Sequence, residues 1–354
     1  MEMGFQVGGS VSFGFHVGGG SAPQPPEPSD HKCALTGAAL PAFDGHGMMN
    51  IPPVVGIATR RIITVSGNGL SANVDTIADA RALLESGAGY DTVDIAEDSG
   101  ITTISSNAFY SENGLPLKSI FMPGVRTIDK NAFKNCTNLE QVIFSPYLTA
   151  INGNAFQNCT SLKSVDLSSC DSLTAIASYV FKDCTSLKTV TLPANGNLTS
   201  LQQQCFNNCT ALEGIVIPDT VTTIGNSVFN GCANLGEVHL STSLTTLGEY
   251  AFKNCENLGN VSAIEGITFG VPEGCTGVGF CAFQNCLKIA KFYIPSSIYT
   301  NSFGALVGTG GTTYDAFSGC IGLLEIHVNK NRGHLSGSPW GAPNRDCVVV
   351  WNDD

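Results

Sequence analysis

Cysteine is the residue in this chain best able to do chemistry, and most of its cysteines recur at a fixed position. The 354-residue sequence contains 14 cysteines. Eight of them lie three residues after a phenylalanine: Cys136, Cys159, Cys184, Cys209, Cys232, Cys255, Cys286 and Cys320. One cysteine per repeat supplies no short-spaced pairs of zinc ligands. We therefore predict a ladder of reduced, buried thiols, because free cysteine packs as a small apolar residue. No metal site is predicted.

Residues that could support catalysis do not form a recognisable set. None of the six histidines lies beside a Ser, Cys or carboxylate motif of a known hydrolase. The glycine-rich stretch at 308–311 lacks the Lys-Ser/Thr ending of a phosphate-binding loop. The sequence therefore predicts a protein that is not an enzyme and that needs no cofactor.

The phenylalanines that precede these cysteines mark a repeat that covers most of the chain. Its fullest copy, starting at Ala132, reads Ala-Phe-x-x-Cys-x-x-Leu-x-x-Val-x-apolar. Successive markers are 23 to 25 residues apart as far as Phe252, and then 31 and 34 residues apart. The markers are Phe109, Phe133, Phe156, Phe181, Phe206, Phe229, Phe252, Phe283 and Phe317. A period of this length is typical of solenoids, in which each coil buries its apolar residues against its neighbours.

Each repeat predicts a short strand and a turn. In the repeat of Phe133, Val142 and Phe144 alternate with other residues, which indicates a strand. The Ala-Phe-x-x-Cys part suits a single turn of helix. Five residues before most markers lies an isoleucine or leucine, such as Ile128, which starts the next turn.

These repeats resemble the BspA-type leucine-rich repeats, whose form is LTxIGxxAFxxCxxLxxVxLPxx. Residues 221–229 match the first half of that form, and residues 187–193 match the second. The resemblance covers about residues 93–329. It implies a repeat solenoid, a leucine-rich-repeat right-handed superhelix with a parallel β-sheet face and short helical turns. It also implies adhesion to proteins or glycans of other cells or of matrix.

Four regions follow from this organisation. We expect a Gly/Pro-rich attachment segment and linker at 1–30, an N-terminal capping region at 31–92, the solenoid at 93–329 and a C-terminal cap at 330–354. Within the capping region, residues 61–65 predict a strand, and residues 76–86 predict a helix that Gly87 ends. Residues 92–95 predict the first solenoid strand. The C-terminal segment looks like a cap found on repeat proteins of prophage and gut-bacterial genomes, with Trp340 and Trp351 covering apolar surface.

The N-terminal segment contains an imperfect duplication of Gly-Phe-x-Val-Gly-Gly. The pairs Phe5 and Val7, and Phe15 and Val17, occupy equivalent positions in the two copies. One interpretation is a flexible glycine-rich tail. The other is a strand pair, or a strand lent to a partner, because Phe and Val alternate with small residues. The second predicts attachment to other particle subunits through this segment.

Composition argues against two classes of partner. The net charge is −12 and only 13% of residues are charged, with no basic stripe, which argues against nucleic acid. No apolar run approaches about 18 residues, so no membrane insertion is predicted.

The N-terminus also lacks a basic stretch followed by an apolar one, so no secretory signal peptide is evident. Removal of such a peptide and another route of export both stay open.

Outward positions of the predicted strands are the candidate contact residues. In the early coils these positions hold mainly small polar residues, such as Ser164 and Thr189. The late coils present charged and aromatic residues: Glu237, His239, Lys291, Tyr293, Glu325 and His327. Two insertions, at 264–282 and 296–315, are expected to flank these late coils. An ordinary solvated sheet face is the alternative interpretation.

Together these observations predict a non-enzymatic recognition protein that binds a protein or glycan receptor through the solenoid. Display on a phage-like virion or tail is the first expectation, so the predicted location is virion or extracellular. One alternative is a structural or decoration component of a particle. The other is an adhesin on a bacterial cell surface. Whether the chain forms a homo-oligomer is left open.

Overall fold

Each repeat contributes one strand to a long parallel face. The computed structural model describes residues 63–259, 269–298, 316–329 and 346–351, which belong to a compact unit from Ala58 to Asp354. The described residues form about nine coils of a parallel β-solenoid. The predictions for Phe5, Val7, Phe15, Val17 and Trp340 lie outside the described residues, as do residues 264–268 of the first insertion and most of the second insertion, at 296–315.

The strands of this first face pair in three hydrogen-bonded groups. The first seven are β3 (Thr92–Ile95), β5 (Ser119–Phe121), β7 (Gln141–Ile143), β9 (Ser164–Asp166), β11 (Thr189–Thr191), β13 (Gly214–Val216) and β15 (Glu237–His239). The last four are β17 (Phe269–Gly270), β19 (Lys291–Ile294), β20 (Glu325–Val328) and β21 (Val348–Trp351). Neighbouring strands are parallel, and equivalent repeat positions pair: Val190 pairs with Val165, and Phe292 with Ile326.

A second set of strands, which the sequence did not predict, forms another parallel face. Each has two residues, of which the second is the Ile, Leu or Val that recurs in the repeat. They are β4 (Thr103–Ile104), β6 (Thr127–Ile128), β8 (Ala150–Ile151), β10 (Ala175–Ile176), β12 (Ser200–Leu201), β14 (Thr223–Ile224), β16 (Thr246–Leu247) and β18 (Gly277–Val278). Two residues are too short to show the alternation by which strands are recognised in a sequence.

The segment predicted as one turn of helix instead forms successive hydrogen-bonded turns. Asn154 and Asn158 adopt left-handed backbone conformations, with φ of 60° and 61°. Such residues interrupt an α-helix, because a right-handed helix needs negative φ throughout. The N–H of Phe156 consequently bonds to Val180 O of the next coil at 2.9 Å, while Cys159 N–H bonds to Phe156 O at 3.3 Å.

The predicted phenylalanine column forms the centre of the core. All nine marker rings are fully buried. Rings of adjacent coils stack with centroids 4.9 to 6.0 Å apart and planes within 14° of parallel. Phe181 lies 5.5 Å from both Phe156 and Phe206. The prediction that these residues face inward is confirmed.

The cysteine ladder has a hydrogen-bonding role that the sequence did not reveal. Each repeat thiol donates to a phenylalanine carbonyl of the preceding coil, such as Cys184 Sγ to Phe156 O and Cys209 Sγ to Phe181 O, both at 3.2 Å. Thirteen cysteines lie in the described part of the chain, and all are free thiols. The prediction of reduced, buried thiols is confirmed for the eight repeat cysteines.

A hairpin and a helix precede the first coil and contact it. Strands β1 (Ile63–Gly67) and β2 (Leu70–Val74) form an antiparallel hairpin, and β1 also pairs antiparallel with β3. Helix α1 (Ile77–Glu85) follows, and buries Ala80 and Leu84. The Thr76 hydroxyl caps this helix by accepting the Asp79 N–H at 3.1 Å. The helix prediction is confirmed, whereas β2 was not predicted. A 3₁₀ turn at Glu97–Ser99 follows β3.

Candidate binding surface

The outward side chains of β11, β13 and β15 surround a depression of about 450 Å³ on the first face. These strands pair in register, so that Thr189 lies beside Gly214, and Gly214 beside Glu237. The lining residues are Lys188, Thr189, Val190, Thr191, Glu213, Gly214, Ile215, Val216, Glu237 and His239. Side chains of a strand point alternately to its two faces. The middle residues of β11 and β13, Val190 and Ile215, are therefore buried and form the floor of the depression, whereas the residues before and after them on each strand point outward.

Gly214 is the local cause of this depression. The equivalent outward position carries a side chain in the neighbouring coils, Thr189 on one side and Glu237 on the other. A Cβ placed on Gly214 would lie 3.4 Å from the Glu237 Cβ and 3.1 Å from its carbonyl oxygen. Glu237 therefore approaches Gly214 closely, and we call this position between two strands, which has no side chain of its own, the notch.

Titratable side chains surround the notch in two loosely held pairs. Lys188 Nζ lies 3.7 Å from Glu213 Oε1, and about two thirds of each side chain is exposed. His239 Nε2 lies 3.2 Å from Glu237 Oε1. Exposed pairs of this kind contribute at most about 1 kcal/mol to stability, because water screens them and both side chains lose rotamer entropy. Each side chain can therefore leave its partner and bind a ligand at little cost in free energy.

An apolar side chain adjoins these charges. Val216 is 63% exposed, although it lies in the middle of a parallel sheet. It pairs with His239 across β13 and β15. The surface consequently offers an alkyl contact, two threonine hydroxyls and two carboxylates within three adjacent coils.

Three of the other predicted residues form a separate cluster on β19 and β20. Lys291 Nζ lies 3.0 Å from Glu325 Oε1, and His327 Nε2 lies 2.8 Å from Glu325 Oε2. The hydrogen bond to His327 and then that to Lys291 lower the pKa of Glu325. All three side chains are half-buried, so this group is held more firmly than the pairs around the notch.

Tyr293 lies on β19 but belongs to a different network. Its hydroxyl donates to Glu273 Oε1 at 2.6 Å. Asn329 Nδ2 and the Ser296 hydroxyl also donate to the Glu273 carboxylate, at 3.1 Å each. Burial, together with the adjacent Glu273 carboxylate, raises the pKa of Tyr293 to about 12. Burial opposes ionisation of Glu273, but the three hydrogen bonds outweigh it and lower the pKa of that carboxyl.

The structure thus divides the six predicted contact residues between two places. Glu237 and His239 line the depression, whereas Lys291, Tyr293, Glu325 and His327 belong to the networks on β19 and β20. Sequence reasoning missed Lys188 and Glu213, which precede their strands and lie outside the alternating pattern. The available signal was Gly214, the one glycine in an outward column that otherwise holds Gln, Ser, Thr and Glu from β7 to β15.

Metal-binding clusters and membrane-spanning helices are both absent from the described part of the chain. No group of three or more His, Cys, Asp or Glu side chains is placed to hold a metal ion there. Among the same residues, no helix has the length and apolar character needed to span a bilayer.

The sequence comparison with protein families identifies the repeat. The BspA type leucine rich repeat region matches the chain in six copies, over residues 102–235 and 174–306. The chain belongs to the BspA-type leucine-rich repeat family. Proteins of this family are typically surface-exposed and take part in protein binding or adhesion. No curated protein sequence matches the chain.

Solved structures of other leucine-rich repeat proteins are similar to this BspA-type chain. A leucine-rich repeat protein from Bacteroides ovatus is 21% identical, with a TM-score of 0.44 over 67% of this chain; the match spans 63% of that protein, less than two thirds. A leucine rich cell surface protein from Faecalibacterium prausnitzii is 22% identical, with a TM-score of 0.32 over 77% of this chain and 87% of that one. A leucine-rich repeat protein of T. pallidum is 23% identical, with a TM-score of 0.36 over 56% of this chain and 83% of that one.

Proposed function

We propose that this chain is a non-enzymatic recognition protein that binds a protein or glycan receptor outside the cell. The depression at Gly214 is its contact site. The observation that carries the proposal is the combination at that site of an empty notch, an exposed valine and weakly paired charges. Family membership supports the same function, because BspA-type repeats are associated with surface exposure and adhesion.

The geometry favours binding over structural support at this position. A side chain that stabilises the sheet packs against its cross-strand neighbours. Gly214 provides no such contact, and Val216 keeps most of its surface in water. An exposed alkyl side chain beside adaptable polar groups can serve as part of a contact site.

The test compares paired substitutions on the first face. We expect Glu237→Ala with His239→Ala to weaken binding to an immobilised receptor by about 2 kcal/mol, as is typical of hot-spot residues. Immobilised glycans and extracellular-matrix proteins serve as the receptor panel, and affinity is measured by surface plasmon resonance. Thermal unfolding of the variant should be nearly unchanged, since both side chains are exposed.

Gln141→Ala with Ser164→Ala is the matched control. Both residues are exposed and outward on the same face, in β7 and β9, and neither lines the depression. This control pair should keep the parental affinity. Tyr293→Ala with His327→Ala tests the cluster on β19 and β20 in the same assay. If that pair abolishes binding while Glu237→Ala with His239→Ala has no effect, the contact site is the late cluster and the assignment to Gly214 is wrong.

The setting in which the receptor is met is a separate part of the proposal. We favour an extracellular or bacterial cell-surface location, in line with the family. Display on a virion or tail, a role as a particle component and attachment through Phe5, Val7, Phe15 and Val17 stay predictions from the sequence. Tail genes beside the coding sequence would support the virion setting, whereas a surface-anchoring or export signal in the full gene would support the cell-surface one.

A further inference from the structure

Two carboxylates border the notch at Gly214 from different coils. Glu213 is the residue before Gly214 in the chain, and Glu237 pairs with Gly214 across the sheet. Both side chains are about two thirds exposed. Gly214 has no side chain. It therefore does not block a ligand that approaches the two carboxylates.

The remaining lining defines which chemistry would fit between the carboxylates. Val216 lies two residues from Gly214 on the same strand and is 63% exposed, so it can contact an alkyl chain. None of the ten residues lining the depression is Phe, Tyr or Trp. Sugar rings generally bind by stacking on aromatic side chains, so this lining favours a peptide side chain over a glycan.

Charge favours a cationic partner at the site and over the whole chain. The lining contains two glutamates and one lysine, with His239 as the remaining titratable group. Among the described residues, Glu213 forms an ion pair with Lys188, 3.7 Å away, and this pair is exposed and therefore weak. The chain as a whole carries 29 acidic residues against 17 basic ones, which attracts basic partners over longer distances.

We propose that the depression takes a lysine or arginine side chain of a protein partner, with its cation between Glu213 and Glu237 and its methylene stem along Val216. This inference rests on the proposed function and adds the chemistry of the partner. Long cationic side chains suit such a site because their stems bury against apolar surface while the charge meets carboxylates. Lys188 competes with the incoming cation for Glu213.

The direct test is a titration of the full chain with a minimal probe. N-acetyl-arginine methylamide is added to protein labelled at valine methyl groups, and the Val216 resonances are followed by NMR. N-acetyl-citrulline methylamide is the matched control, since it has nearly the same shape without the charge. We expect saturable shifts of Val216 with the arginine probe, reduced by added salt, and none with citrulline.

Removing a carboxylate and removing Lys188 should change the affinity for the probe in opposite directions. The direction of each change identifies the sign of the ligand charge. Glu213→Gln and Glu237→Gln should each weaken binding of the arginine probe by about two- to fivefold, the range for exposed ion pairs. Lys188→Gln should strengthen it by a similar factor, because it releases Glu213. Gly214→Ser should block binding without changing charge. A serine at position 214 could disturb the strand, because its Cβ would lie close to the Glu237 carbonyl. The two glutamate variants do not have this problem, so the test does not depend on the serine variant.

Several outcomes would overturn this inference. They are equal shifts with arginine and citrulline, no shift at Val216 at any probe concentration, or weaker binding after Lys188→Gln. If the receptor panel shows binding that depends on Glu237 and His239 while the arginine probe does not bind, the recognition function stands and the basic partner is wrong. A neutral glycan as the bound member of the panel would then identify the other class of ligand. If panel binding does not depend on Glu237 and His239 and the arginine probe does not bind, the depression is not the contact site.

Discussion

At the scale of single residues, the buried thiols are the most distinctive chemistry of this chain. Each repeat cysteine donates to the carbonyl of a marker phenylalanine in the preceding coil, at distances of 3.0 to 3.2 Å. Burial raises the pKa of Cys184 and of Cys232 from 9.0 to about 12. A neutral thiol is therefore strongly favoured in the folded chain, so the ladder is a structural feature and is chemically inert.

These raised pKa values predict a loss of stability in alkaline solution. In the unfolded chain a thiol loses its proton near pH 9, whereas the folded thiols keep theirs until about pH 12. The stabilisation is thus fully present below pH 9 and is lost as the pH rises from 9 towards 12. We expect the urea midpoint of unfolding to fall steadily over that interval.

Other groups also titrate at high pH, so a variant must isolate the thiols. Cys184→Ser with Cys232→Ser keeps a hydroxyl donor for the Phe156 and Phe206 carbonyls but removes two titrating groups. Its alkaline loss of stability should be smaller than that of the parent chain. An identical pH dependence in both proteins would contradict the assignment to the ladder.

At the scale of elements, the stacked phenylalanines connect each coil to its neighbours. Phe181 is fully buried between the rings of Phe156 and Phe206. We expect Phe181→Ala to cost about 3–5 kcal/mol of unfolding free energy, because it removes the ring and leaves a cavity between two coils. Chemical denaturation measures the loss, and hydrogen exchange should show the loosening concentrated in β9, β11 and β13, since coils contact only their neighbours.

Ser164→Ala is the control for this substitution. Ser164 is exposed on β9, so its replacement should change the free energy of unfolding by less than about 0.5 kcal/mol. A loss below about 1 kcal/mol for Phe181→Ala would show that the solenoid does not depend on the column of rings.

At the scale of the whole molecule, the solenoid carries its own N-terminal cap. Strands β1 and β2 extend the first face, and helix α1 lies beside them. The Arg81 guanidinium in α1 donates to the carbonyls of Asn107 and Ala108 in the first coil, at 3.3 Å each. A capping element of this kind covers apolar surface that the first coil of a stack would otherwise expose to water.

Because residues 58–354 form a compact unit, we expect a chain that starts at Ala58 to fold on its own. Its thermal unfolding midpoint should equal that of the full chain, and its affinity for the receptor panel should be retained. A chain that starts at Thr92 lacks the cap and should unfold at lower temperature or aggregate. If the chain from Ala58 also unfolds early, the N-terminal segment contributes to the stability of the solenoid.

The sequence by itself determined which residues of each coil face the core. The spacing of apolar residues is visible within one repeat, and every coil places the same repeat positions inside. Phe181, Cys184 and Val190 could therefore be assigned to the interior from spacing alone. Helix α1 was equally evident from its apolar face and from Gly87, which ends it. Two-residue strands such as β8 gave no such signal, because their pairing depends on the coils before and after them.

Only the tertiary structure decided where the candidate site lies. Lys188, Glu213 and Glu237 come from three successive coils, so their proximity depends on the register of β11, β13 and β15. The outward column suggested Tyr293 as a free anchor, yet its hydroxyl is held by Glu273 from another coil. Outward positions do not pack in the core, so their sequence pattern carries no information about which partners they meet. That is decided by the alignment of neighbouring coils.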